Sequence, residues 1–193
     1  MIKIEGIKLS CISCCVPNRY EFNKDLPEFA EERKQKIIES TGVVSRPVVD
    51  KTQCTSDLVY QAAVNLIQRM GIEPAQIGVM ILVTQTPDYI LPATSCIIHN
   101  RLKLCEDTIV FDINLGCSGY IYGLYVASTL LKTSDKPYAL LLAGDTISKY
   151  AGMKMPPQNL YLEMQVPLLY SKKMIALIRC FFYWELMVRD GKI

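Results

Sequence analysis

The chain has 193 residues, half of them hydrophobic, and a formal net charge of only +2 from 21 basic and 19 acidic side chains. This length and apolar content suffice for one compact domain, and the balanced charge excludes a polyanion-binding signature, so nucleic acid is not an expected partner. Lys3 and Glu5 interrupt the N-terminus, which has no continuous apolar segment; we therefore expect no signal peptide and a cytoplasmic location.

The first third of the chain predicts a strand and two helices. Alternating apolar and polar side chains predict a strand over residues 2–10, followed by a loop. A charged amphipathic helix is predicted over residues 27–40, and Gly42 is expected to supply its left-handed cap. The next helix is expected to begin at a Thr55 or Ser56 cap and to end before Gly71.

From there the pattern becomes strand, helix, strand, helix, strand. The segments are an apolar run over 77–84, a helix over 92–102, a strand over 108–113, a helix over 118–131 and a strand over 137–143. Continuous apolar strands separated by helices predict an α/β fold with a parallel sheet, covered by helices on both faces through right-handed crossovers.

Cys117 lies between the predicted strand over 108–113 and the predicted helix over 118–131. At a helix N-terminus, unpaired backbone N–H groups and the positive end of the helix dipole favour a thiolate. The same N–H groups can stabilise the oxyanion that forms when sulfur attacks a carbonyl carbon. Gly116 and Gly119 allow a substrate to approach the backbone, so we predict that Cys117 is a nucleophile.

The other cysteines do not predict a metal site. Cys11, Cys14 and Cys15 include a CxxC spacing, but no second pair follows at a zinc-finger distance. The one histidine, His99, lies on the predicted helix over 92–102, where a lone histidine is usually a surface or core residue. Scattered cysteines of a cytosolic α/β protein act as small buried hydrophobes, so we predict no metal.

Three sequence blocks, TQTPDYILPATSC, DINLGCSGYIYGL and LLLAGDTISKY, stand in this order along the chain. Together they closely resemble the β-ketoacyl-acyl-carrier-protein synthases of type III, condensing enzymes of the thiolase superfamily, and the resemblance runs over residues 2–151. It implies the N-terminal half of a thiolase-like fold, with a mostly parallel five-stranded sheet. Family members are about twice as long as this chain.

The resemblance also implies an activity and a set of site residues. Cys117 would take an acyl group from a thioester primer and yield it to the carbanion formed from malonyl-carrier protein with loss of carbon dioxide, in fatty acid or related lipid or polyketide synthesis. Thr41, Thr84 and Leu91 are implied at the substrate site. Thr41 would lie near the pantetheine entrance, and Leu91 would reach the acyl pocket of the partner in a homodimer. No cofactor is implied.

Acyl carrier protein and an acyl-CoA or carrier-bound primer are the implied partners. Lys36 and Ser40 stand where well-known members place a tryptophan and an arginine against coenzyme A, which favours the carrier-bound primer. Lys34, Lys36 and Arg46 offer positive charge to an acidic carrier. A solvated charged helix face is an equal alternative for these three side chains.

The sequence changes character after Gly152. Residues 153–193 show neither helix nor strand periodicity, and residues 174–188 are too short and too charged to span a membrane. Read in a shifted frame, the codons of residues 160–170 permit LFGDAGSATL, which resembles the next family motif. We therefore predict a domain over 1–152 and an aberrant, poorly structured tail produced by a frameshift.

Two functions remain open for this polypeptide. The first is an acyltransferase with little or no activity alone, because the family draws a catalytic histidine and asparagine from the second half. The second is a non-catalytic thiolase-fold module that binds a protein partner. In either case we expect exposed apolar surface on the Gly119 and Gly123 side of the nucleophile helix and along residues 77–84.

Overall fold

The structure is a computed structural model that describes residues 4–27 and 29–149, together with the backbone strand at 173–179. Its strands are β1 (Ile7–Cys14), β2 (Arg19–Phe22), β3 (Ser45–Val48), β4 (Ile77–Val83), β5 (Ile109–Ile113), β6 (Tyr138–Ala143) and β7 (Lys173–Arg179). The α-helices are α1 (Glu31–Thr41), α2 (Thr55–Met70), α3 (Thr94–Leu102) and α4 (Gly119–Thr133). Within these described ranges, every helix is too short or too polar to cross a lipid bilayer.

Five strands form one sheet in the order β1-β7-β6-β4-β5, and all four neighbouring pairs are parallel. The interior strand β4, between β6 and β5, is buried at every position, which explains its unbroken apolar sequence IGVMILV. The remaining two strands, β2 and β3, form a separate antiparallel pair. The prediction of a mostly parallel five-stranded sheet is confirmed.

The sheet separates two hydrophobic cores, because successive side chains of a strand point to opposite faces. Met80 and Leu82 of β4 pack on one side with α2 and α3. Ile81 and Val83 pack on the other side with α4. Each such fully buried side chain stabilises the fold by about 1.5–3 kcal/mol relative to exposure, so helices on both faces follow from the apolar strand.

Two predicted element ends are wrong. The first strand runs from Ile7 to Cys14 and not over 2–10, because Gly6 adopts φ +83 and breaks the extended backbone before it. The first helix begins at Glu31, four residues later than predicted, because Ala30 is still extended with ψ 151. The left-handed cap predicted at Gly42, with φ +71, is confirmed, and α2 ends before Gly71 as predicted, with φ +62 at this glycine.

The sequence did not indicate β2, β3 or β7. Strands of four residues, such as β2 and β3, are too short to show a clear period. The strand β7 lies inside the predicted tail and inserts between β1 and β6. The rest of residues 153–193 lies outside the described residues, and the domain boundary at Gly152 stays a prediction.

The prediction of exposed apolar surface placed it on the wrong side of α4. Gly119 and Gly123 are buried against the sheet, and β4 is covered on both faces. The exposed apolar side chains of α4 are Ile121, Tyr122 and Tyr125, with 51%, 57% and 41% of their surface accessible. The helix turns its small residues inward because only they let its backbone approach the sheet this closely.

Candidate active site

Three neighbouring parallel strands end at the same edge of the sheet. The strand order places β4 between β6 and β5, so their carboxyl ends lie side by side. The chain that leaves β5 carries Cys117, the chain that leaves β4 carries residues 84–86, and the chain that leaves β6 carries Asp145. In open α/β sheets, ligands bind outside the carboxyl ends of the strands, so this edge is the candidate site.

Cys117 lies in the short connection between β5 and α4 and is exposed. The connection turns tightly: the Leu115 N–H donates to the Ile113 carbonyl at 3.0 Å, and the Gly119 N–H donates to the Gly116 carbonyl at 2.8 Å. The thiol therefore lies two residues before the first turn of a 15-residue helix, where the helix dipole favours negative charge. The thiol is accessible, as a nucleophile must be, and the role of Cys117 as a nucleophile stays a prediction.

Close packing fixes where α4 begins relative to the sheet. A methyl group at Gly119 would lie 2.6 Å from Val83 Cγ1, and one at Gly123 would lie 2.7 Å from Leu141 Cδ1. Both distances are shorter than van der Waals contact, so the two glycines allow the helix to lie directly on β4 and β6. The start of α4, and with it Cys117, is positioned by this contact.

A half-buried carboxylate, that of Asp145, holds the chain that leaves β4. Asp145 Oδ1 accepts hydrogen bonds from the Gln85 N–H at 2.7 Å and from the Thr84 hydroxyl, the Thr86 N–H and the Thr86 hydroxyl at 3.0 Å each. Burial raises the pKa of Asp145 above its ordinary value, while these four donors oppose the rise. The carboxyl group thus fixes residues 84–86 against the end of β6.

Three buried threonine hydroxyls extend this arrangement to α2. Thr55 Oγ1 lies 2.8 Å from the Thr86 carbonyl, 2.9 Å from Thr86 Oγ1 and 3.0 Å from Thr146 Oγ1. The Thr146 N–H donates to Thr86 Oγ1 at 2.8 Å. All three side chains are at most 4% exposed, so each hydroxyl replaces water with protein partners.

Two further acids of the sequence blocks act as helix caps. Asp112 on β5 accepts the backbone N–H groups of Thr94 and Ser95, both at 2.8 Å, at the start of α3. Asp88 accepts the Ser56 N–H at 3.1 Å at the start of α2. These carboxylates satisfy orphan N–H groups and complement the helix dipoles, so their role in the structure is to orient helices.

The three predicted substrate residues lie in different environments. Thr84 is buried and its hydroxyl donates to Asp145. Thr41 makes both its hydrogen bonds at its own helix end, donating to the Ile37 carbonyl at 2.6 Å and accepting the Val43 N–H at 3.1 Å. Leu91 is 83% exposed and precedes a cis peptide bond to Pro92. The structure places Thr84 beside the Cys117 edge, and the substrate roles of all three stay predictions.

Of the three basic side chains that could contact an acidic carrier protein, two already form ion pairs within this chain. Lys34 is buried and contacts Glu31 at 2.6 Å, and Arg46 contacts Glu21 at 3.2 Å. Lys36 is exposed on α1.

The single histidine of the sequence, His99, has a structural role. Its Nε2 forms a hydrogen bond of 3.0 Å with the Cys105 carbonyl, which links the end of α3 to the segment that follows it.

The clustered cysteines of β1 also contribute to packing. Cys11 and Cys15 are half-buried and pack against the core beside α2, whereas Cys14 is exposed. Burial raises the pKa of the Cys15 thiol, which keeps it protonated at neutral pH. Over residues 4–27 and 29–149, no three side chains of His, Cys, Asp or Glu are grouped as metal ligands.

Gln85 and Asp145 are the residues of this edge that the sequence analysis missed. Both directly follow the carboxyl ends of apolar strands, within two residues of Val83 and Ala143. Polar residues at that position of a parallel sheet converge in space, and this was the available signal. The hydrogen bond between them joins positions 60 residues apart and has no local sequence pattern.

Comparison with known proteins gives a consistent family. The family model for FAE1/Type III polyketide synthase-like protein matches residues 37–155. A putative 3-oxoacyl-[acyl-carrier-protein] synthase 3 from Campylobacter jejuni is 36% identical over 83% of this chain and 44% of its own length. A β-ketoacyl-[acyl-carrier-protein] synthase III from Natranaerobius thermophilus is 34% identical over 76% of this chain and 44% of its own.

Solved structures share the fold. The crystal structure of 3-oxoacyl-(acyl-carrier protein) synthase from Burkholderia xenovorans LB400 matches with a TM-score of 0.71 and 34% identity, over 76% of this chain and 42% of that one. Xanthomonas campestris OleA matches with a TM-score of 0.67 at 21% identity, which shows the fold alone. This chain spans less than half the length of these relatives. It belongs to the thiolase-like condensing-enzyme family of β-ketoacyl-[acyl-carrier-protein] synthase III.

Proposed function

We propose that Cys117 is the nucleophile of an acyl-transfer reaction on thioester substrates. The observation that carries the proposal is the exposed thiol at the start of α4, at the edge where three parallel strands end. The thiolate attacks the carbonyl carbon of an acyl thioester, the tetrahedral oxyanion collapses, and the primer's thiol leaves with a proton. A thiolate suits both halves of the exchange, because it is a good nucleophile and a good leaving group.

The proposed substrates follow from the family. The first is an acyl group on acyl carrier protein or coenzyme A, and the second is malonyl-carrier protein, whose decarboxylation supplies the carbanion of a Claisen condensation. Lys36, exposed on α1, supports a contact with an acidic carrier, whereas Lys34 and Arg46 already hold ion pairs. The condensation step belongs to the longer protein that the relatives represent, since their catalytic histidine and asparagine come from a second half.

A homodimer is part of the proposal. Tyr89, Ile90 and Leu91 form one exposed apolar stretch with 61%, 96% and 83% of their surfaces accessible. The neighbouring strand β5 is an edge of the sheet, and edge strands present unpaired backbone groups to a second chain. Both features support an interface through which Leu91 reaches the partner's acyl pocket and limits the length of the primer.

Acylation measured by mass spectrometry tests the nucleophile. The 193-residue chain is incubated with acetyl and longer acyl thioesters, digested and mapped, and hydroxylamine is used to cleave any thioester. We expect one hydroxylamine-labile adduct on Cys117, absent from Cys117→Ala and retained in the matched variant Cys96→Ala, which removes another exposed thiol. An adduct spread over several cysteines, or none on Cys117 in a folded sample, would favour the non-catalytic binding module.

Condensation is tested separately. We expect the 193-residue chain to form no β-ketoacyl product from an acyl primer and malonyl-carrier protein, and a gene restored to frame after Gly152 to form it. The Cys117→Ala variant of the restored protein should lose acyl transfer and keep its thermal transition. Comparable turnover by the short and restored proteins would overturn the assignment of the missing machinery.

A further inference from the structure

The Gln85 side chain lies directly against the glycine that precedes the nucleophile. A methyl group at Gly116 would lie 2.7 Å from Gln85 Oε1, 3.0 Å from Cδ and 3.3 Å from Nε2. All three atoms of the amide group therefore surround the space that any other side chain at position 116 would need. Gln85 comes from the end of β4 and Gly116 from the end of β5, so this contact joins two strand ends.

The backbone of Gln85 is itself held in place. Its N–H donates to Asp145 Oδ1 at 2.7 Å, and the same oxygen accepts the N–H of Thr86, the next residue. Asp145 follows β6, so the end of β6 fixes the end of β4, and the Gln85 side chain extends this support to the end of β5. The Gln85 side chain thus contacts Gly116, one position before Cys117. Glycine has more backbone freedom than any other residue type, so this position benefits most from a fixed neighbour.

We propose that Gln85 is a positioning residue for Cys117, acting through its contact with Gly116. The inference rests on the proposed role of Cys117 as nucleophile. With the amide in place, Gly116 keeps one backbone conformation and the thiol stays at the start of α4. Without it, the glycine samples further conformations and the thiol spends less time in the field of the helix N-terminus. Gln85 needs no contact with the substrate for this role.

The test follows alkylation of Cys117 in the 193-residue chain by peptide mapping, with exposed Cys96 as the internal reference thiol. Relative to Cys96, Gln85→Ala should slow the reaction of Cys117 with iodoacetamide by about fivefold, a typical size for coupling between residues in contact. The unbranched side chain of Gln85→Met reaches equally far, so this variant should react at nearly the native rate. The thermal transition should be unchanged in both, since residue 85 is exposed.

A double-mutant cycle isolates the contact. Gly116→Ala should displace the flexible Gln85 amide, because its new methyl group occupies the same space. In that background, Gln85→Ala should slow Cys117 no further, so the two effects are not additive. Additive effects on the logarithm of the rate, or an unchanged rate in Gln85→Ala alone, would overturn the inference.

A second reagent separates positioning from shielding. If Gln85 only screened the thiol, Gln85→Ala would accelerate labelling, most strongly with a bulky maleimide, and that result would overturn the inference. Failure of the proposed function looks different: Cys117 of the unaltered chain would then react no faster than Cys96 and would form no acyl adduct. The two failures are therefore distinguishable in the same set of measurements.

Discussion

Cys54 and Cys117 both lie just before the first turn of a helix, and their surroundings differ. Cys54 is the N-cap of α2: its sulfur accepts the Asp57 N–H in a capping box, and Lys149 Nζ lies 3.4 Å from it. Cys117 precedes α4, whose N-cap is Ser118, with no side-chain hydrogen bond at the cap. The first thiol is half-buried and the second is exposed.

From this difference we expect that a helix N-terminus alone does not make a nucleophile. At α2 the sulfur takes the place of a capping oxygen and completes the backbone hydrogen bonding of the first turn. At α4 the connection with its two glycines leaves the sulfur unused by the helix and open to a substrate. A cysteine that caps a helix contributes to the stability of the fold, whereas a cysteine that does not is available to react with a substrate.

The largest expected effect is on the order of labelling. With limiting iodoacetamide, Cys117 should react at least about tenfold faster than Cys54, because its sulfur is exposed and makes no capping bond. Half-buried Cys15, whose thiol pKa is raised by burial, should be among the slowest. Peptide mapping of a folded sample measures all three, and faster reaction of Cys54 would break the comparison by showing that Lys149 activates it.

The next effect comes from the packing of one helix start. Gly119→Ala places a methyl group 2.6 Å from Val83 Cγ1 and 2.8 Å from Leu115 Cβ. Such overpacking should lower the free energy of unfolding by about 2 kcal/mol and slow labelling of Cys117, while Cys54 on α2 keeps its rate. Urea unfolding and peptide mapping check the two effects.

A matched change on the outer face of the same helix gives the control. Tyr122 is 57% exposed, so Tyr122→Ala should change the free energy of unfolding by less than about 0.5 kcal/mol. A large loss from this variant would mean that the outer face of α4 is covered in solution. Equal losses from the two variants would contradict the packing argument.

A smaller effect is expected at the other helix. Asp57→Ala removes the acceptor of the Cys54 N–H at 3.0 Å and the ion pair with Arg101 at 3.0 Å. Loss of the cap should lower the free energy of unfolding by about 1 kcal/mol and speed labelling of Cys54, with Cys117 unaffected. Arg101→Met keeps the cap and removes the partly exposed ion pair, together with the hydrogen bond to Ser56 Oγ at 3.3 Å and the cation–π contact with Tyr60. It should cost less than Asp57→Ala; if it costs as much, the cap contributes nothing measurable.

The smallest effect concerns the half-buried carboxyl group of Asp145, which holds residues 84–86. The pKa of Asp145 is raised, so the native state holds this proton more tightly than the unfolded state does. Its contribution to stability is therefore present below the ordinary aspartate pKa of about 3.9 and is lost as pH rises through the raised value. Urea unfolding against pH should show this decline in the native chain.

Substitution isolates that contribution. Asp145→Asn keeps an oxygen acceptor and removes the ionisation, so the decline should disappear from its profile. Asp135 is exposed, and Asp135→Asn should leave the profile of the native chain unchanged. A native stability that rises over the same pH range relative to Asp145→Asn would show that the four donors outweigh burial.

Local features of the fold were predictable from the sequence. The apolar run of β4, the left-handed glycine at 42 and the helix end at Gly71 were predicted correctly, because each depends on residues next to one another. The face of α4 was not, since hydropathy favours burying Ile121 and Tyr125 whereas close packing buries Gly119 and Gly123. Shape complementarity with the sheet decided the orientation, and a single sequence does not contain it.

The candidate site also has features that the sequence predicts and features that it does not. The location of Cys117 at a helix start could be predicted, because a strand, a turn and a helix follow one another in the chain. The support from Asp145 and Gln85 could not, because it joins strand ends that are adjacent only after the sheet has formed. The short strands β2 and β3 escaped for a related reason, since their pairing partners lie beyond α1.

The three threonine hydroxyls behind this edge carry a consequence for how related chains diverge. Thr55 and Thr146 are 91 positions apart, and Thr86 bonds both. Replacing one hydroxyl by a methyl group leaves buried partners unsatisfied, and replacing all three also removes the partners of the Thr146 N–H, the Thr86 carbonyl and Asp145 Oδ1. Descendants should therefore keep all three hydroxyls, and joint retention of threonine or serine at positions 55, 86 and 146 would be the evolutionary trace of these hydrogen bonds.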